Sequence, residues 1–206
     1  MRISKPFFAT VALASAAVCS GAGQAPPASA TVPDVYRVKF ETGKGDFIIQ
    51  VTKAWAPLGA ARFYTLVQQK YYDNQRFFRV IKGFMVQFGL SGDPAATARW
   101  SDRRLRDDKV VHSNTRGMVT YAMAGPNTRT TQVFINYADN SRLDADGFSP
   151  FGKVVQGMEV LDSLYGGYGE SPNQGAITAQ GNAYLAKSFP LLDYVKTARI
   201  VPTEEK

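Results

Sequence analysis

Thiols are nearly absent from this chain: Cys19 is its single cysteine in 206 residues. Histidine is as scarce, with His112 alone. Everything beyond Cys19 therefore lacks the groups for thiol catalysis, disulfides or a cysteine-based zinc site. A Ser-His-Asp triad would have to use His112, yet no Gly-x-Ser-x-Gly elbow is present. There is no Walker loop and no strand-linked Gly-x-Gly-x-x-Gly, which removes the usual nucleotide cradles. His112, without a histidine or cysteine neighbour, reads as a surface or loop-packing residue. No apolar run reaches the roughly 18–20 residues needed to span a bilayer. What remains is 45% apolar and 12% aromatic, enough for a substantial core in one domain plus a short extension.

The first thirty residues carry a separate pattern. Arg2 and Lys5 precede an apolar stretch from Phe7 to Val18, followed by the small-residue triplets Ser20-Gly21-Ala22 and Ala28-Ser29-Ala30. Residues 1–30 are read as a secretory signal and cleavage region, with export and removal of the segment expected. A retained anchor and lipid attachment at Cys19 stay open as alternatives, although Ala16-Ala17-Val18 is a poor lead for the latter. After removal no stable membrane insertion is expected. Loss of Arg2 and Lys5, with no acid in the segment, lowers the net charge from +7 to +5. That mild excess favours solubility and does not signal nucleic-acid binding.

Residues 31–35 continue an Ala-, Pro-, Ser- and Gly-rich lead-in, and a domain is expected over 36–202 with a tail at 203–206. Tyr36, Val38 and Phe40 alternate with charged residues, a half-buried strand that turns at Thr42-Gly43-Lys44-Gly45 and returns over Phe47–Val51. Pro57 opens a helix whose Ala60, Phe63, Tyr64 and Val67 share one face. Short apolar strands follow at Phe77–Ile81, Met85–Gly89, Met118–Ala124, Val133–Tyr137 and Phe151–Val155. A second helix carries Met158, Leu161 and Leu164, a helical turn falls in 182–189, and Tyr194–Val201 closes the chain. Many short strands with few helices indicate a barrel or sandwich. Residues 90–116 mix Arg99, Arg103, Arg104, Arg106, Lys109 and Arg116 with Asp93, Asp102, Asp107 and Asp108. The mixed signs favour a solvated polar loop over a nucleic-acid patch.

Two segments stand out: Phe77-Phe78-Arg79-Val80-Ile81-Lys82-Gly83-Phe84-Met85-Val86-Gln87, and Ala124-Gly125-Pro126-Asn127-Thr128 running on to Gln132-Val133-Phe134-Ile135. Leu143-Asp144, Phe151-Gly152-Lys153-Val154 and Gly157-Met158 follow in order. In these motifs the sequence resembles the cyclophilin family of peptidyl-prolyl isomerases, over about Tyr36 to Val201. The resemblance implies a mainly β fold, a closed eight-stranded antiparallel barrel capped by two helices. It also implies Xaa–Pro isomerisation in exported, periplasmic clients, without metal or cofactor, by a monomer that binds proline-containing polypeptides and no nucleic acid.

The chemistry suits the residues. Rotation about a peptide bond crosses roughly 18–20 kcal/mol of amide resonance, so no nucleophile is needed. A dry notch and a fixed donor that grips the twisted amide suffice. By the resemblance Arg79 is the catalytic donor, its planar fork better suited than a lysine. Phe84, Met85, Phe134 and Leu143 would line the proline pocket, with Phe148 at its wall. Phe84 and Met85, as strand neighbours, share a direction only if the chain bends between them. Gln87 and Gln132 supply polar groups for a peptide backbone, and Ala122 and Met123 an edge for it to lie along. Phe78 stands in place of a histidine, Met123 of an asparagine, Val133 of a phenylalanine that would fill the pocket, and Arg142 of a tryptophan, which puts cyclosporin-type binding in doubt. These departures also motivate a second reading, a barrel that holds proline segments with little turnover.

Overall fold

The computed structural model describes residues 31–203. The signal and cleavage region, Cys19 and the last three residues of the tail lie outside the described residues. The chain runs through β1 (Val35–Thr42), β2 (Asp46–Thr52), α1 (Pro57–Gln68), β3 (Arg79–Ile81), β4 (Met85–Phe88), α2 (Pro94–Ser101), β5 (Met118–Tyr121), β6 (Val133–Asn136), β7 (Pro150–Gln156), α3 (Met158–Asp162), α4 (Gln174–Gln180), α5 (Asn182–Ser188) and β8 (Val195–Val201). All eight strands join one antiparallel sheet in the order β3-β4-β6-β5-β7-β2-β1-β8.

The β1–β2 hairpin forms because alternate residues are apolar. Tyr36, Val38 and Phe40 pair with Val51, Ile49 and Phe47 across it, and all six are buried. The turn is tied by Thr42, whose N and Oγ1 both donate to Gly45 O, at 3.1 and 2.6 Å. Phe40 stacks on Phe47 at 4.8 Å, and Phe63 of α1 meets Phe40, Tyr72 and Phe151. Burying each such ring is worth about 1.5–3 kcal/mol. On α1 the buried stripe is Ala60, Phe63, Leu66 and Val67; Tyr64, partly buried, packs against the same core and meets Tyr36 edge to face at 5.1 Å.

The sheet is not a closed barrel. It is open and curled, with edges 13 Å apart, and carries five helices rather than two. The physical reason is the shortness of β3 and what lies along its free side. Lys82 Nζ donates to Asp162 O, and Gly166 packs so near that a Cβ there would stand 3.5 Å from Val80 O. The edges are stitched only before β3, where Phe77 N donates to Asp193 O (3.0 Å) and Val195 N to Gln75 O (2.9 Å). The unforeseen helices had local signals. Asp93 caps α2 by accepting from Ala95 N at 2.9 Å, with Pro94 in the first position, and Asn173 caps α4 from Ala176 N at 2.9 Å. Helices α4 and α5 supply Ile177 and Leu185 to a second apolar cluster with Phe78, Leu90 and Leu192, whereas Ala96 and Trp100 of α2 join the main core.

The 90–116 stretch is not simply a solvated loop. Asp108 accepts from Leu58 N (3.0 Å) and Gly59 N (2.9 Å), capping α1, which has no cap of its own. Asp108 is itself paired with buried Arg129 at 3.0 Å. Arg62 and Arg103 stack on the faces of buried Trp100 at 4.8 and 5.1 Å. His112 is exposed and stacks on Trp55 at 4.1 Å.

Candidate active site

Strand register assembles the site. Val80, Val86, Ile135 and Val119 are successive cross-strand partners on β3, β4, β6 and β5, and all face the core. Their neighbours must face the other way. That opposite row is Arg79, Gln87, Phe134 and Thr120, again in direct register. Three strands here are buried on every residue because both faces are covered, one by the core and the other by the walls of a cleft and by the Asn114 loop.

The cleft has a volume of about 340 Å³. Arg79, Gln87 and Gln132 line it with Phe84, Met85, Phe134, Leu143 and Phe148, and Ala122 and Met123 run along one side. All ten residues singled out from the sequence are thus brought together in one cavity. Phe84 and Met85 both reach it because Phe84 lies in the β3–β4 turn, not in a strand: Gly83 takes φ 74° and Phe84 N donates to Ile81 O at 3.0 Å. Phe148 meets Phe134 edge to face at 5.7 Å. Ala124, Thr128, Thr130 and Gln174 also line the cavity and were not foreseen. Gln174 opens α4, a helix absent from the sequence reading.

Arg79 is held on two sides. Its Nη1 donates to Gln87 Oε1 at 3.2 Å, and Gln87 Nε2 donates in turn to Gln132 Oε1 at 2.8 Å. Its Nε donates to Glu170 Oε1 at 2.7 Å, and Nη2 bonds the same oxygen. The second hydrogens of the two terminal nitrogens remain for a ligand. The guanidinium carbon lies 5.8 Å from the centre of the Phe84 ring, with the Arg142 guanidinium 4.9 Å from that ring. Glu170 is distant in sequence and outside every motif, so no sequence signal pointed to it.

Behind the apolar wall a polar network fixes the loop that carries Leu143 and Phe148. Asp144 accepts from Ser113 Oγ (2.5 Å), Asn114 N (2.9 Å) and Asn114 Nδ2 (2.7 Å), and the same Nδ2 donates to Phe148 O. Burial alone would raise the Asp144 pKa, but the hydrogen bonds from Ser113 and Asn114 outweigh it and hold the carboxyl below its ordinary range. Asn140 Nδ2 donates to Phe84 O at 2.8 Å and to Asn136 Oδ1 at 2.8 Å, tying the Phe84 turn to the same network.

Two departures now have structural reasons. Phe78 points away from the cleft into the cluster under α4 and α5, where an imidazole would be buried without need. Val133 does not trim the pocket: it faces the main core, because Phe134 faces the cleft.

A sequence model described as "Cyclophilin type peptidyl-prolyl cis-trans isomerase/CLD" matches residues 37–179. The chain belongs to the cyclophilin-type peptidyl-prolyl cis-trans isomerase family. Peptidyl-prolyl cis-trans isomerase-like 3 of Dictyostelium discoideum is 36% identical over 133 residues, covering 62% of this chain and 80% of that one. The Homo sapiens protein of the same name is 38% identical over 133 residues, with the same coverage of both chains. Among solved structures, a cyclophilin type peptidyl-prolyl cis-trans isomerase of Cryptosporidium parvum superposes with a TM-score of 0.61 at 26% identity, over 82% of this chain and 99% of that one. A Hirschia baltica cyclophilin shares the fold at TM-score 0.60 and 20% identity, over 81% and 74% of the two chains. The chain is a peptidyl-prolyl isomerase, and its substrates are proline-containing polypeptides.

Proposed function

We propose that Arg79 is the catalytic residue of this isomerase and that the cleft beside it receives the prolyl residue. The observation that carries this reading is the row Arg79–Gln87–Phe134, which aligns a fixed guanidinium with an apolar wall in one cavity. Phe84, Met85, Phe134, Leu143 and Phe148 enclose the proline ring. Gln87, Gln132, Ala122 and Met123 receive the flanking backbone. The prolyl nitrogen loses conjugation as the amide twists and becomes pyramidal. A guanidinium N–H donated to the substrate amide binds that state more tightly than either planar isomer. Each 1.36 kcal/mol of such preference is worth about tenfold in rate. The Cryptosporidium parvum isomerase has been crystallised in the presence of the dipeptide Ala-Pro, which supports an Xaa–Pro ligand for the same cleft.

The clients are exported proteins, and the enzyme acts as a monomer in the periplasm. Support comes from the basic, apolar and small-residue succession of residues 1–30, with the working domain taken as 36–202. Nucleic acid has no part in this reading, since Arg99, Arg103, Arg104, Arg106, Lys109 and Arg116 are interleaved with Asp93, Asp102, Asp107 and Asp108.

Exchange NMR on an Ala-Pro peptide tests the site, using isotope-labelled protein to locate the ligand. Faster cis–trans exchange, with shifts at Met85, Gln87, Met123 and Phe134, is expected. Shifts confined to another face would remove the cleft from the account. Mass spectrometry of the protein recovered from the periplasm tests export, with an N-terminus at Gly23 or Thr31 expected. A chain retained in the cytosol with Met1 intact would contradict it.

A further inference from the structure

Glu170 has no part in the family motifs and lies in the segment joining α3 to α4. Its carboxylate nevertheless reaches Arg79, where one oxygen accepts from both Nε and Nη2. We propose that Glu170 is a positioning residue for the isomerase: it fixes the plane of the Arg79 guanidinium so that the free N–H groups point into the cleft. The proposal rests on the catalytic role assigned to Arg79.

The support beneath Glu170 is itself built. Gly169 N donates to Gly166 O at 3.1 Å and Ser171 N to Tyr168 O at 2.9 Å, so Glu170 sits in the second of two overlapping turns. Gly169 adopts φ 52°, a left-handed conformation that glycine takes without strain. Gly166 passes close over β3, the strand that carries Arg79. Tyr165 N is anchored to Asp193 Oδ2 at 2.7 Å, and Tyr168 packs edge to face against Tyr165 and Phe189, each at 5.0 Å. The carboxylate therefore stands on a ledge fixed to the second apolar cluster.

On the other side, Gln87 holds Nη1 and is itself held by Gln132. A guanidinium clamped at Nε–Nη2 and at Nη1 has no freedom to rotate about its terminal torsions, whereas Gln87 alone would leave it a hinge. A 1 Å displacement of a reacting group can lower a rate by about a hundredfold, so the clamp bears on turnover more than on substrate binding. The Glu170 side chain is 62% exposed, so the pair adds little to folding, and its removal leaves a folded protein.

The test compares Glu170→Ala, Glu170→Gln, Arg79→Ala and the Arg79→Ala/Glu170→Ala double variant, by exchange NMR on an Ala-Pro peptide with kcat and KM resolved. Glu170→Ala should lower kcat about tenfold with KM within about twofold, because orientation is lost and the cleft is not. Glu170→Gln should retain most of kcat, since its amide oxygen accepts the same two hydrogens. In the Arg79→Ala background Glu170→Ala should add no further loss, as effects routed through one group do not sum. Wild-type or raised kcat in Glu170→Ala overturns the proposal, as does a Gln variant as slow as the Ala variant, or an undiminished loss without Arg79. Full turnover in Arg79→Ala alone would instead defeat the reading of Arg79 on which it rests.

Discussion

The two halves of the sheet obey different rules. In β1 and β2 the side chains alternate between core and more exposed positions, and every buried apolar residue of β1, β2 and β8 serves one cluster. In β4, β5 and β6 every residue is buried, because the face away from the core is covered by the residues that build the cleft and by the Asn114 loop, to which Thr120 and Asn136 are bonded. The first half is built to last and the second to hold something. Its outward row mixes Arg79, Gln87, Phe134 and Thr120, types that a pure core would not accept together. A strand with two covered faces loses the polar alternation that marks which face matters, and chemistry then shows in residue identity rather than periodicity.

The largest contrast comes from the hairpin half. Phe40→Ala removes a ring that contacts Phe47, Phe63, Tyr72 and Phe88, and should destabilise by about 3–5 kcal/mol in denaturant unfolding. Its folded fraction should still turn over at the wild-type kcat; a selective loss of kcat would show that the halves are not separable. Next, Asp108→Ala takes from buried Arg129 one of its two carboxylates, leaving Asp107 at 3.2 Å, and leaves α1 uncapped. A loss of about 3 kcal/mol is expected, again with catalysis spared in the molecules that remain folded.

Phe134→Ala belongs to the other half. It should raise KM for a proline peptide about tenfold while costing less stability than Phe40→Ala, since one side of its ring faces the cleft rather than the core. Unchanged KM would mean that the prolyl ring sits elsewhere.

The smallest effect concerns acid. The Asp144 pKa is lowered in the folded state, so its stabilising contribution is complete above the unfolded carboxyl value near about 3.9 and is lost as pH falls through the lower folded value. Asp144→Asn should therefore flatten the fall in stability below about pH 4 and loosen the Leu143–Phe148 loop. An acid-unfolding curve identical to wild type would remove Asp144 from that role.

Much of this was legible in the sequence, and what was missed has physical causes. Alternation marked β1 and β2 because one face is wet. Phe84, Met85 and Phe134 stand out only through motif resemblance, since on periodicity alone they read as core, and so does Arg79, which alone reads as a surface arginine on a strand. The barrel stays open where the motifs implied closure: three residues of β3 cannot reach β8 across an edge occupied by residues 162–166. Helices α2 and α4 announced themselves through Asp93-Pro94 and Asn173 but lie in polar surroundings that read as loop. Asp108 reads as part of a polar loop because nothing local reveals that it meets Arg129 beneath α1. Glu170 was beyond reach for the same reason, a contact made only by the fold.

The central claim is that the Arg79 guanidinium acts on the twisting amide from within the cleft. The most direct test is the kcat of Arg79→Ala for cis–trans exchange of an Ala-Pro peptide, measured beside its melting curve. A fall of about a hundredfold or more, equivalent to roughly 2.7 kcal/mol of lost transition-state stabilisation, is predicted with the fold intact. Turnover within a few-fold of wild type in a folded variant would contradict it.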